Sequence, residues 1–417
     1  MRVLVLDGNE NQAVACVRSL ARAGHEVSVG ADSSWSKAGW SRSARAAFRY
    51  AAPQQDAEAF VEAVAREAAR SPGALVMPLT ERTTLPLSAR REKIFAAGGR
   101  LVLPPHETVL RAFDKRQTTR LAASLGVAVP RTESIADRER ARAFADEATY
   151  PVVLKPRSSE ELTAAGKVRA TGAPLYARDA REFVAAFDGL SKRSSEVLAQ
   201  EFVEGEGAGY FALMREGEPR AEFAHRRLRD VRPTGSGSAV RESVAVRPEL
   251  REAGLAVLRA LRWHGVAMVE FRVRPDGTPV FLEVNGRFWN SLALAVHAGA
   301  DFPRMLARMA EAGDVEPSFD YRAGVRCRWL LGDFRHLAEV MRGAPEGFPG
   351  AFPKRARTLL EFLRPVAGTY HDNFSPADPL PELGDWLDFA FRRLPARARS
   401  AGGGQKDLHA QSGFSLP

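Results

Sequence analysis

Short apolar runs alternate with helical patterns along the first hundred residues. Residues 2–6 form a leucine- and valine-rich run, and after the polar loop at residues 7–9 the apolar positions of residues 12–23 recur with helical spacing. Gly24 ends this helix, and residues 26–30 are typical of a second strand. Strand, helix and strand in this order predict a βαβ unit and therefore a parallel sheet covered by helices.

The same pattern continues to about residue 105. It predicts an amphipathic helix at residues 56–70 and strands at residues 74–77 and 100–103. A dinucleotide site needs several glycines where the first strand turns into the helix, but the loop DGNENQ contains only one. We therefore predict a Rossmann-like domain without a dinucleotide fingerprint, and a dehydrogenase remains an alternative by analogy of fold alone.

From residue 113 the sequence predicts an α+β region. Residues 156–172 are polar and weakly periodic, which predicts a mobile loop. Beyond residue 315 the chain is rich in Arg and Leu and helical, with residues 329–340 and 386–394 packing on the core, whereas residues 398–417 are expected to be disordered. The periodicity predicts helices at 113–125, 137–148, 249–262 and 302–312 and strands at 152–155, 197–202, 209–214, 221–225, 266–273 and 279–284.

The composition is that of a packed protein with several domains. The chain has 417 residues, of which 45% are hydrophobic and 27% charged, so two or three domains are expected. Cys16 and Cys327 are the only cysteines, which disfavours a disulfide framework or a structural zinc site and favours a reducing compartment. The N-terminal apolar run is too short for a signal peptide, and no apolar stretch is long enough to span a membrane. We therefore expect a cytoplasmic protein without a membrane partner.

The net charge of +9 raises the question of a nucleic-acid partner. The basic residues are spread along the chain, with no basic block and no basic stretch interleaved with aromatic residues. A solvated basic surface is therefore favoured, and nucleic-acid binding stays a minor alternative.

Two lysines stand out because lysine is rare in this chain. Only eight of the 60 Lys and Arg residues are lysine, yet Lys155 ends the apolar run VVLK and Lys115 follows Asp114 near the start of a predicted helix. Lysine supplies a compact point charge that arginine does not. The alternative is an ordinary lysine at a strand end, with its apolar stem buried and its charge in water.

The segment 197–205 is a strand that runs into an acidic turn containing glycine. A carboxylate at this position, Glu201, has the chemistry to accept a hydrogen bond from an exocyclic amine while the neighbouring backbone reads a ring nitrogen. This arrangement is suited to adenine. A solvated strand end followed by a tight turn is the alternative.

A predicted hairpin brings two carboxylates together. Residues 268–273 and 280–287 are joined by the turn Arg-Pro-Asp-Gly, so Glu270 and Glu283 face each other across the ladder. Because side chains alternate along a strand, Glu283, Asn285 and Arg287 share one face. Two carboxylates and an amide oxygen suit Mg²⁺, and Arg287 lies close enough to clamp a phosphoryl group. A polar outer face of an ordinary hairpin is the alternative.

These segments together resemble the ATP-grasp superfamily of carboxylate ligases. The resemblance rests on FDK at Lys115, VVLKP at Lys155, QEFVEG at Glu201, VEF at Glu270 and LEVNGR from Glu283, in this order and spacing. It is greatest with the branch of carbamoyl-phosphate-synthase-like and carboxylate–amine ligases and covers roughly residues 1–315.

The resemblance implies a fold and a division into domains. The implied fold is α/β and α+β, with a Rossmann-like pre-ATP-grasp domain at residues 1–112 and an ATP-grasp fold at residues 113–315. The lid would comprise residues 113–205 and the catalytic part residues 206–315. A helical C-terminal region at residues 316–397 and the tail at 398–417 would follow.

The resemblance also implies roles for individual residues. Arg287 would stabilise the transferring phosphoryl group, and a flap at residues 157–172, with fewer glycines than usual, would cover the phosphates. For the ribose, Glu204 and Glu206 compete, and Glu206 is preferred. The implied ligands are Lys115 and Lys155 for the ATP phosphates, Gln200, Glu201, Phe202 and Val203 for adenine, and Glu270, Glu283 and Asn285 for Mg²⁺ or Mn²⁺.

A second basic cluster lies at residues 225–230, followed by the Gly/Ser segment 233–238. Arginines bind carboxylates through two parallel hydrogen bonds, so we expect Arg227 and Arg229 to bind the carboxylate substrate or its acyl phosphate. A basic surface loop is the alternative.

The sequence thus predicts an ATP-dependent ligase that phosphorylates a small carboxylate and joins the acyl phosphate to an amine, releasing ADP and phosphate. Two alternatives use the same site: an enzyme that forms carboxyphosphate or carbamoyl phosphate, and an ATP-binding module without catalysis. A homodimer is the commonest state for such a chain.

Overall fold

The computed structural model describes residues 1–233, 236–344, 352–364 and 366–393. Its N-terminal part is built on a four-stranded parallel sheet in the order β3-β2-β1-β4. This is the parallel sheet that the βαβ pattern predicts. The elements of this part are β1 (Arg2–Val5), α1 (Asn11–Arg22), β2 (Glu26–Ala31), β3 (Ala46–Arg49), α2 (Ala57–Ala69), β4 (Leu75–Met77), α3 (Glu81–Ala89), α4 (Arg91–Ala96) and α5 (His106–Phe113).

The predicted strand at residues 100–103 is wrong. Only Arg100 bridges to β4, where its N–H donates to Ala74 O and its C=O accepts from Val76 N–H. Pro104 and Pro105 follow directly and carry no N–H group, which stops a longer ladder.

The turn after β1 fixes the start of α3 and so positions a residue of the candidate site. Asp7 has a positive φ of 55° and is buried. Its carboxylate accepts hydrogen bonds from Leu79 N–H at 3.0 Å and Thr83 Oγ at 2.6 Å. The segment between β4 and α3, which leads into Glu81, is therefore held against the end of the parallel sheet.

The next part holds a four-stranded antiparallel sheet in the order β5-β10-β6-β9. Helices α7 and α8 pack against each other, and their apolar side chains form one core with this sheet. The elements are α6 (Lys115–Ser124), β5 (Thr132–Ile135), α7 (Arg138–Glu147), β6 (Val152–Pro156), β7 (Glu160–Leu162), β8 (Val168–Ala170), β9 (Leu175–Ala177), α8 (Ala180–Leu190) and β10 (Val197–Glu201).

Two predictions for this part are wrong in detail. The predicted helix at 113–125 is interrupted at Asp114, whose carboxylate accepts a hydrogen bond from Gln117 N–H and begins α6 with Lys115 as its first residue. The predicted loop at 156–172 contains the hairpin β7–β8. This hairpin hydrogen-bonds to the N-terminal part, because Ala57 N–H donates to Gly166 O and Val168 N–H donates to Pro53 O.

A seven-stranded sheet in the order β15-β14-β11-β12-β13-β16-β17 forms the rest of the fold. All neighbouring strands are antiparallel except β16 and β17. The elements are β11 (Glu206–Arg215), β12 (Glu218–Arg232), β13 (Ser236–Val244), α9 (Pro248–Ala260), β14 (Gly265–Val273), β15 (Pro279–Asn285), α10 (Leu292–Ala298), α11 (Phe302–Ala312), β16 (Arg326–Arg328), α12 (Leu330–Arg342), α13 (Arg355–Leu363), β17 (Thr369–His371) and α14 (Leu380–Arg393).

The region after residue 315 is only partly helical. Besides α12, α13 and α14, it supplies the strands β16 and β17, which extend the main sheet. The basic segment 225–230 is likewise no loop, since it lies inside the 15-residue strand β12. The predicted disordered tail at 398–417 lies outside the described residues.

One core joins the N-terminal sheet to the main sheet. Val3 and Val5 of β1 pack in the same cluster as Phe211 of β11 and Leu292 of α10, all fully buried. Among the helices in the described ranges, none is long and apolar enough to cross a membrane.

Candidate active site

The hairpin β14–β15 places the two predicted carboxylates opposite each other. Glu270 and Glu283 are paired in the register, and a bulge follows Glu270. Asn285 Nδ2 donates to Glu283 Oε1 at 3.2 Å, and Arg287 Nη2 donates to Asn285 Oδ1 at 2.8 Å. The predicted face with Glu283, Asn285 and Arg287 therefore exists as a connected row of side chains.

Both predicted lysines are buried beside this row. Lys115 is 7% exposed, and its Nζ lies 3.2 Å from Glu283 Oε2 and 3.1 Å from Ser159 Oγ. Lys155 is 5% exposed and lies in β6, where it pairs with Leu198 of β10. The strand end and the start of α6 thus bring two cations from different elements to the carboxylate pair.

The two lysines differ in how their charge is compensated. Burial acts to lower the pKa of Lys115, but the nearby Glu283 and Glu81 outweigh it and raise that pKa. Burial lowers the pKa of Lys155 to about 8, because attraction from Glu283 offsets only part of the desolvation and Lys115 repels it. Lys155 is therefore a cation without a full counter-charge, which suits a group that meets an anionic ligand.

The two carboxylates also differ in how far neighbouring cations compensate their charge. Burial and repulsion from Glu283 raise the pKa of Glu270, although Arg227 opposes them. For Glu283 the attraction of Lys115 and Lys155 outweighs the effect of burial and holds its pKa well below the usual range. The site is therefore a cluster of opposite charges, with buried lysines and half-buried carboxylates, rather than an apolar pocket.

The structure brings Arg227 to the site but not Arg229. Arg227 Nη2 lies 3.1 Å from Glu270 Oε1. Arg229 instead forms ion pairs with Asp333 at 2.7 Å and Glu361 at 3.3 Å. The register of β12 against β13 shifts between the two arginines, and such a bulge turns the following side chain to another direction. The expectation that Arg229 binds the carboxylate is not supported by this position.

The end of β10 and the residues directly after it are predicted to bind adenine. Gln200 is buried, and its Nε2 donates to Thr132 Oγ at 2.8 Å. The carboxylate of Glu201 accepts from Arg131 N–H at 3.0 Å and lies 3.6 Å from Arg274 Nη2. Both side chains therefore hold the end of β10 in place.

The residues that follow connect the four-stranded antiparallel sheet to the seven-stranded sheet. Phe202 meets Tyr176 of β9 edge to face, with ring centroids 6.1 Å apart, and Val203 is buried. Glu206 begins β11 and is exposed, as is Glu204. The structure thus places Glu206 next to this segment with its carboxylate in solvent.

Sequence reasoning missed Glu81. It is the first residue of α3 and is 9% exposed, and its carboxylate has no hydrogen-bond or ion-pair partner among the described residues. Burial raises its pKa, while Arg287 and Lys115 act against that rise. Glu81 follows a parallel strand at its carboxyl end, where ligands commonly bind in such sheets, and this placement was the available signal.

The donor atoms suit a hard divalent cation such as Mg²⁺. Glu270, Glu283 and Asn285 offer carboxylate and amide oxygens from two paired strands. The crowding of two carboxylates is the observation that favours a cation there, because each raises the energy of the other's charge. In the described ranges no group of three or more His, Cys, Asp or Glu side chains forms a metal site.

Comparisons with known proteins identify relatives for part of the chain. No family model matches. The chain is 29% identical over 312 residues to the N-terminal section of the carbamoyl phosphate synthase large chain of Methanopyrus kandleri, covering 66% of this chain and 53% of that protein. It is 24% identical over 293 residues to the carbamoyl phosphate synthase large chain of Methanothermobacter thermautotrophicus, covering 64% and 27%. The chain spans about half or less of the length of these relatives.

Solved structures share the fold at lower identity. An L-amino acid ligase from Bacillus licheniformis superposes with a TM-score of 0.58 at 18% identity, covering 76% of this chain and 75% of that one. The biotin carboxylase domain of the 2-oxoglutarate carboxylase from Hydrogenobacter thermophilus, a dimer in complex with MgADP, ADP and bicarbonate, gives 0.59 at 16% identity, covering 78% and 73%. N5-carboxyaminoimidazole synthetase from Staphylococcus aureus gives 0.57 at 13%, covering 76% and 78%.

These relatives and neighbours are ATP-grasp proteins, and the chain has the ATP-grasp fold. The fold that the sequence motifs imply is thereby confirmed.

Proposed function

We propose that the protein is an ADP-forming ligase that activates a small-molecule carboxylate with ATP and joins it to an amine. The observation that carries this proposal is the cluster in which the half-buried Glu270 and Glu283 face each other beside the buried Lys115 and Lys155. Such a cluster holds and neutralises phosphates, which is what phosphoryl transfer requires of a protein.

The lysines and the carboxylates are proposed to bind different parts of Mg²⁺-ATP. Lys155 carries the less compensated charge, so we assign it to the phosphates together with Lys115. Mg²⁺ or Mn²⁺ would be held by Glu270, Glu283 and Asn285 and would offset negative charge on the phosphates.

The nucleoside is assigned to the junction of the two sheets. The backbone from Gln200 to Val203 is proposed to read the adenine, with Glu201 and Phe202 holding this segment in place. Glu206 is proposed to bind the ribose hydroxyls because its carboxylate is exposed next to this segment. The lid would then be residues 113–205 and the catalytic part residues 206–315, after a pre-ATP-grasp domain at residues 1–112.

Two arginines are proposed to act on the reacting groups. A carboxylate oxygen of the substrate attacks the γ-phosphorus, the bond to the β-phosphate oxygen breaks, and ADP leaves. Arg227 would orient that carboxylate, and Arg287 would stabilise charge on the transferring phosphoryl group. The amine then attacks the acyl carbon, and phosphate leaves with the oxygen that came from the carboxylate.

Glu81 is proposed to meet the amine. It faces Lys115 and Arg287 from the N-terminal part and has no partner among the described residues. A buried carboxylate with a raised pKa is suited to accept the proton that the amine loses on attack.

Bicarbonate is a second candidate substrate for the same site. The curated relatives are carbamoyl phosphate synthase large chains, and the biotin carboxylase neighbour binds bicarbonate with ADP. An enzyme of this kind would form carboxyphosphate in place of an acyl phosphate. A cytoplasmic location is proposed on the two free, buried cysteines, and a homodimer on the dimeric neighbour.

The test is release of ADP from Mg²⁺-ATP with pooled L-amino acids and small carboxylates, in the presence of hydroxylamine. A ligase yields hydroxamate, and Glu283→Ala abolishes it, whereas Glu252→Ala on the exposed side of α9 leaves it unchanged. ADP release that depends on bicarbonate alone would establish the second candidate. ATP binding without turnover would indicate a non-catalytic module, and absence of ATP binding would overturn the proposal.

A further inference from the structure

A buried hydrogen bond joins the two segments that carry Arg227 and Arg287. Ser291 Oγ lies 2.8 Å from His225 Nε2, and the two residues are 6% and 8% exposed. His225 precedes Arg227 by two residues in β12, and Ser291 follows Arg287 by four residues at the start of α10. The bond therefore connects the strand of one arginine with the loop of the other.

The position of Ser291 makes this bond unusual. A serine directly before a helix commonly accepts a hydrogen bond from an N–H group of the first turn. Ser291 precedes α10 and makes no such bond. Its hydroxyl instead makes the tertiary contact with His225. The helix therefore lacks a side-chain cap, and the two segments of the site are connected.

Aromatic packing reinforces the link. The His225 ring stacks on Phe211 at 4.9 Å, and Phe211 contacts Trp289 at 4.6 Å. Trp289 lies two residues after Arg287 and packs edge to face on Phe302 at 4.9 Å. The loop that carries Arg287 is therefore anchored to β12 by a hydrogen bond and by a stack of rings.

Arg287 itself makes no comparable contact with β12. Its side-chain hydrogen bonds in the described structure go to Asn285 Oδ1 and Phe288 O, both within its own segment. Burial, with Arg241 and Arg227, lowers the pKa of His225 to about 3, so the ring is neutral and adds no charge beside the arginines. A neutral ring with one N–H group is suited to hold a hydroxyl without competing for an anionic substrate.

We propose that His225 is a positioning residue that, through Ser291 and Trp289, fixes the Arg287 loop relative to the strand of Arg227. This role rests on the proposed function, in which both arginines address one reacting carboxylate and phosphoryl group. A displacement of about 1 Å between such groups lowers the rate about 100-fold. Loss of the link therefore affects the chemical step more than nucleotide binding.

The experiment compares five variants of the full chain, one of which combines Ser291→Ala with His225→Phe. Ser291→Ala and His225→Phe each remove the hydrogen bond, and His225→Phe keeps a ring against Phe211. His225→Gln keeps a polar group at the position of Nε2. The matched control is Ser88→Ala, because Ser88 Oγ and His106 Nδ1 form a Ser–His pair of the same 2.8 Å length away from the site.

The readouts are kcat for ADP release with Mg²⁺-ATP and pooled L-amino acids, the Kd for ATP, the Tm, and hydrogen exchange of residues 286–291. In Ser291→Ala and His225→Phe we expect kcat to fall about 10- to 100-fold with the ATP Kd within about twofold. Combining the two changes adds no further loss, since both break one link. We expect His225→Gln to recover part of kcat. Hydrogen exchange of residues 286–291 should be faster only in variants that lack the hydrogen bond between Ser291 and His225. Ser88→Ala should lower the Tm and leave kcat unchanged.

The outcomes separate this role from the proposed function. An active wild type whose kcat is unchanged in Ser291→Ala and His225→Phe overturns the positioning role and leaves the ligase intact. Losses that add in the double variant, or that equal those of Ser88→Ala, also overturn it. A wild type without ATP turnover overturns the proposed function and this role with it.

Discussion

Replacing the two site lysines by methionine should change stability in opposite directions. Lys115 and Lys155 are both buried, but only Lys115 has a direct ion pair, with Glu283 at 3.2 Å. Burial lowers the pKa of Lys155 to about 8, whereas the carboxylates around Lys115 raise its pKa. A buried cation without a full counter-charge costs stability, and a compensated one contributes to it.

The magnitude follows from the pKa of Lys155. The difference between its ordinary value of 10.5 and about 8 corresponds to about 3 kcal/mol of unfavourable free energy for the charged form in the folded state. Lys155→Met removes this cost, but part of the gain in stability is lost because the substitution also removes a favourable neighbour of Glu283. We therefore expect Lys155→Met to raise the free energy of unfolding at pH 7 by about 1–3 kcal/mol. Lys115→Met should lower it, because it removes the ion-pair partner of Glu283 and one of the cations that stabilise the charge of Glu81.

The pH dependence has a definite sign. A lysine whose folded pKa is depressed binds fewer protons in the folded state, so the wild type gains stability as the pH rises from about 8 towards 10.5. The difference in free energy of unfolding between Lys155→Met and the wild type should therefore decrease from about pH 8 to 10.5. For Lys115→Met, the difference in free energy of unfolding from the wild type should stay constant below about pH 10.

The assay is urea unfolding of both variants at several pH values, together with calorimetric titration of Mg²⁺-ATP. Both variants should lose at least about tenfold in ATP affinity, since each removes a charge from the phosphates. A Lys155→Met protein that is less stable than the wild type at pH 7, or that keeps its ATP affinity, would refute the reasoning.

Three further predictions concern residues around the site. Arg241→Met should lower the free energy of unfolding by about 3–5 kcal/mol in urea, because the fully buried carboxylate of Asp372, 2.6 Å from Arg241, loses its ion-pair partner; a loss below about 1 kcal/mol would contradict this. Arg227→Ala should lower kcat/KM for the carboxylate at least about tenfold, whereas Arg229→Ala should leave it within about twofold and lower only the unfolding free energy; the reverse order would return Arg229 to the site. Glu81→Gln should lower the rate with the amine while ADP release with hydroxylamine, which needs no protein base, is largely kept; equal loss with both nucleophiles would argue against that role.

The carboxylate pair was predictable because its signal is local. The turn at Asp276 and Gly277 sets the hairpin, and strand alternation then places Glu283 and Asn285 on one face. Lys115 and Lys155 could be predicted as site residues because they lie at the ends of predicted elements and because lysine is rare in this arginine-rich chain. Motif order and local periodicity were therefore enough to predict the fold class and most of the candidate site.

Other features depend on contacts that no local pattern encodes. Arg229 leaves the site because of a bulge in a strand that the sequence predicts to end earlier. The strands β7, β8, β16 and β17 have three residues each, too few to show alternation, and exist because neighbouring strands pair with them. Glu81 joins the site only through the packing of the N-terminal part on the rest of the chain.

The most direct test of the central claim is oxygen transfer from the carboxylate to phosphate. The protein is incubated with Mg²⁺-ATP, amines and pooled carboxylates labelled with ¹⁸O, and the released phosphate is examined by mass spectrometry. If the carboxylate is phosphorylated, each phosphate carries one ¹⁸O from it, and Glu283→Ala releases none. Phosphate that contains only solvent or ATP oxygen, at an undiminished rate of ADP release, would contradict the account.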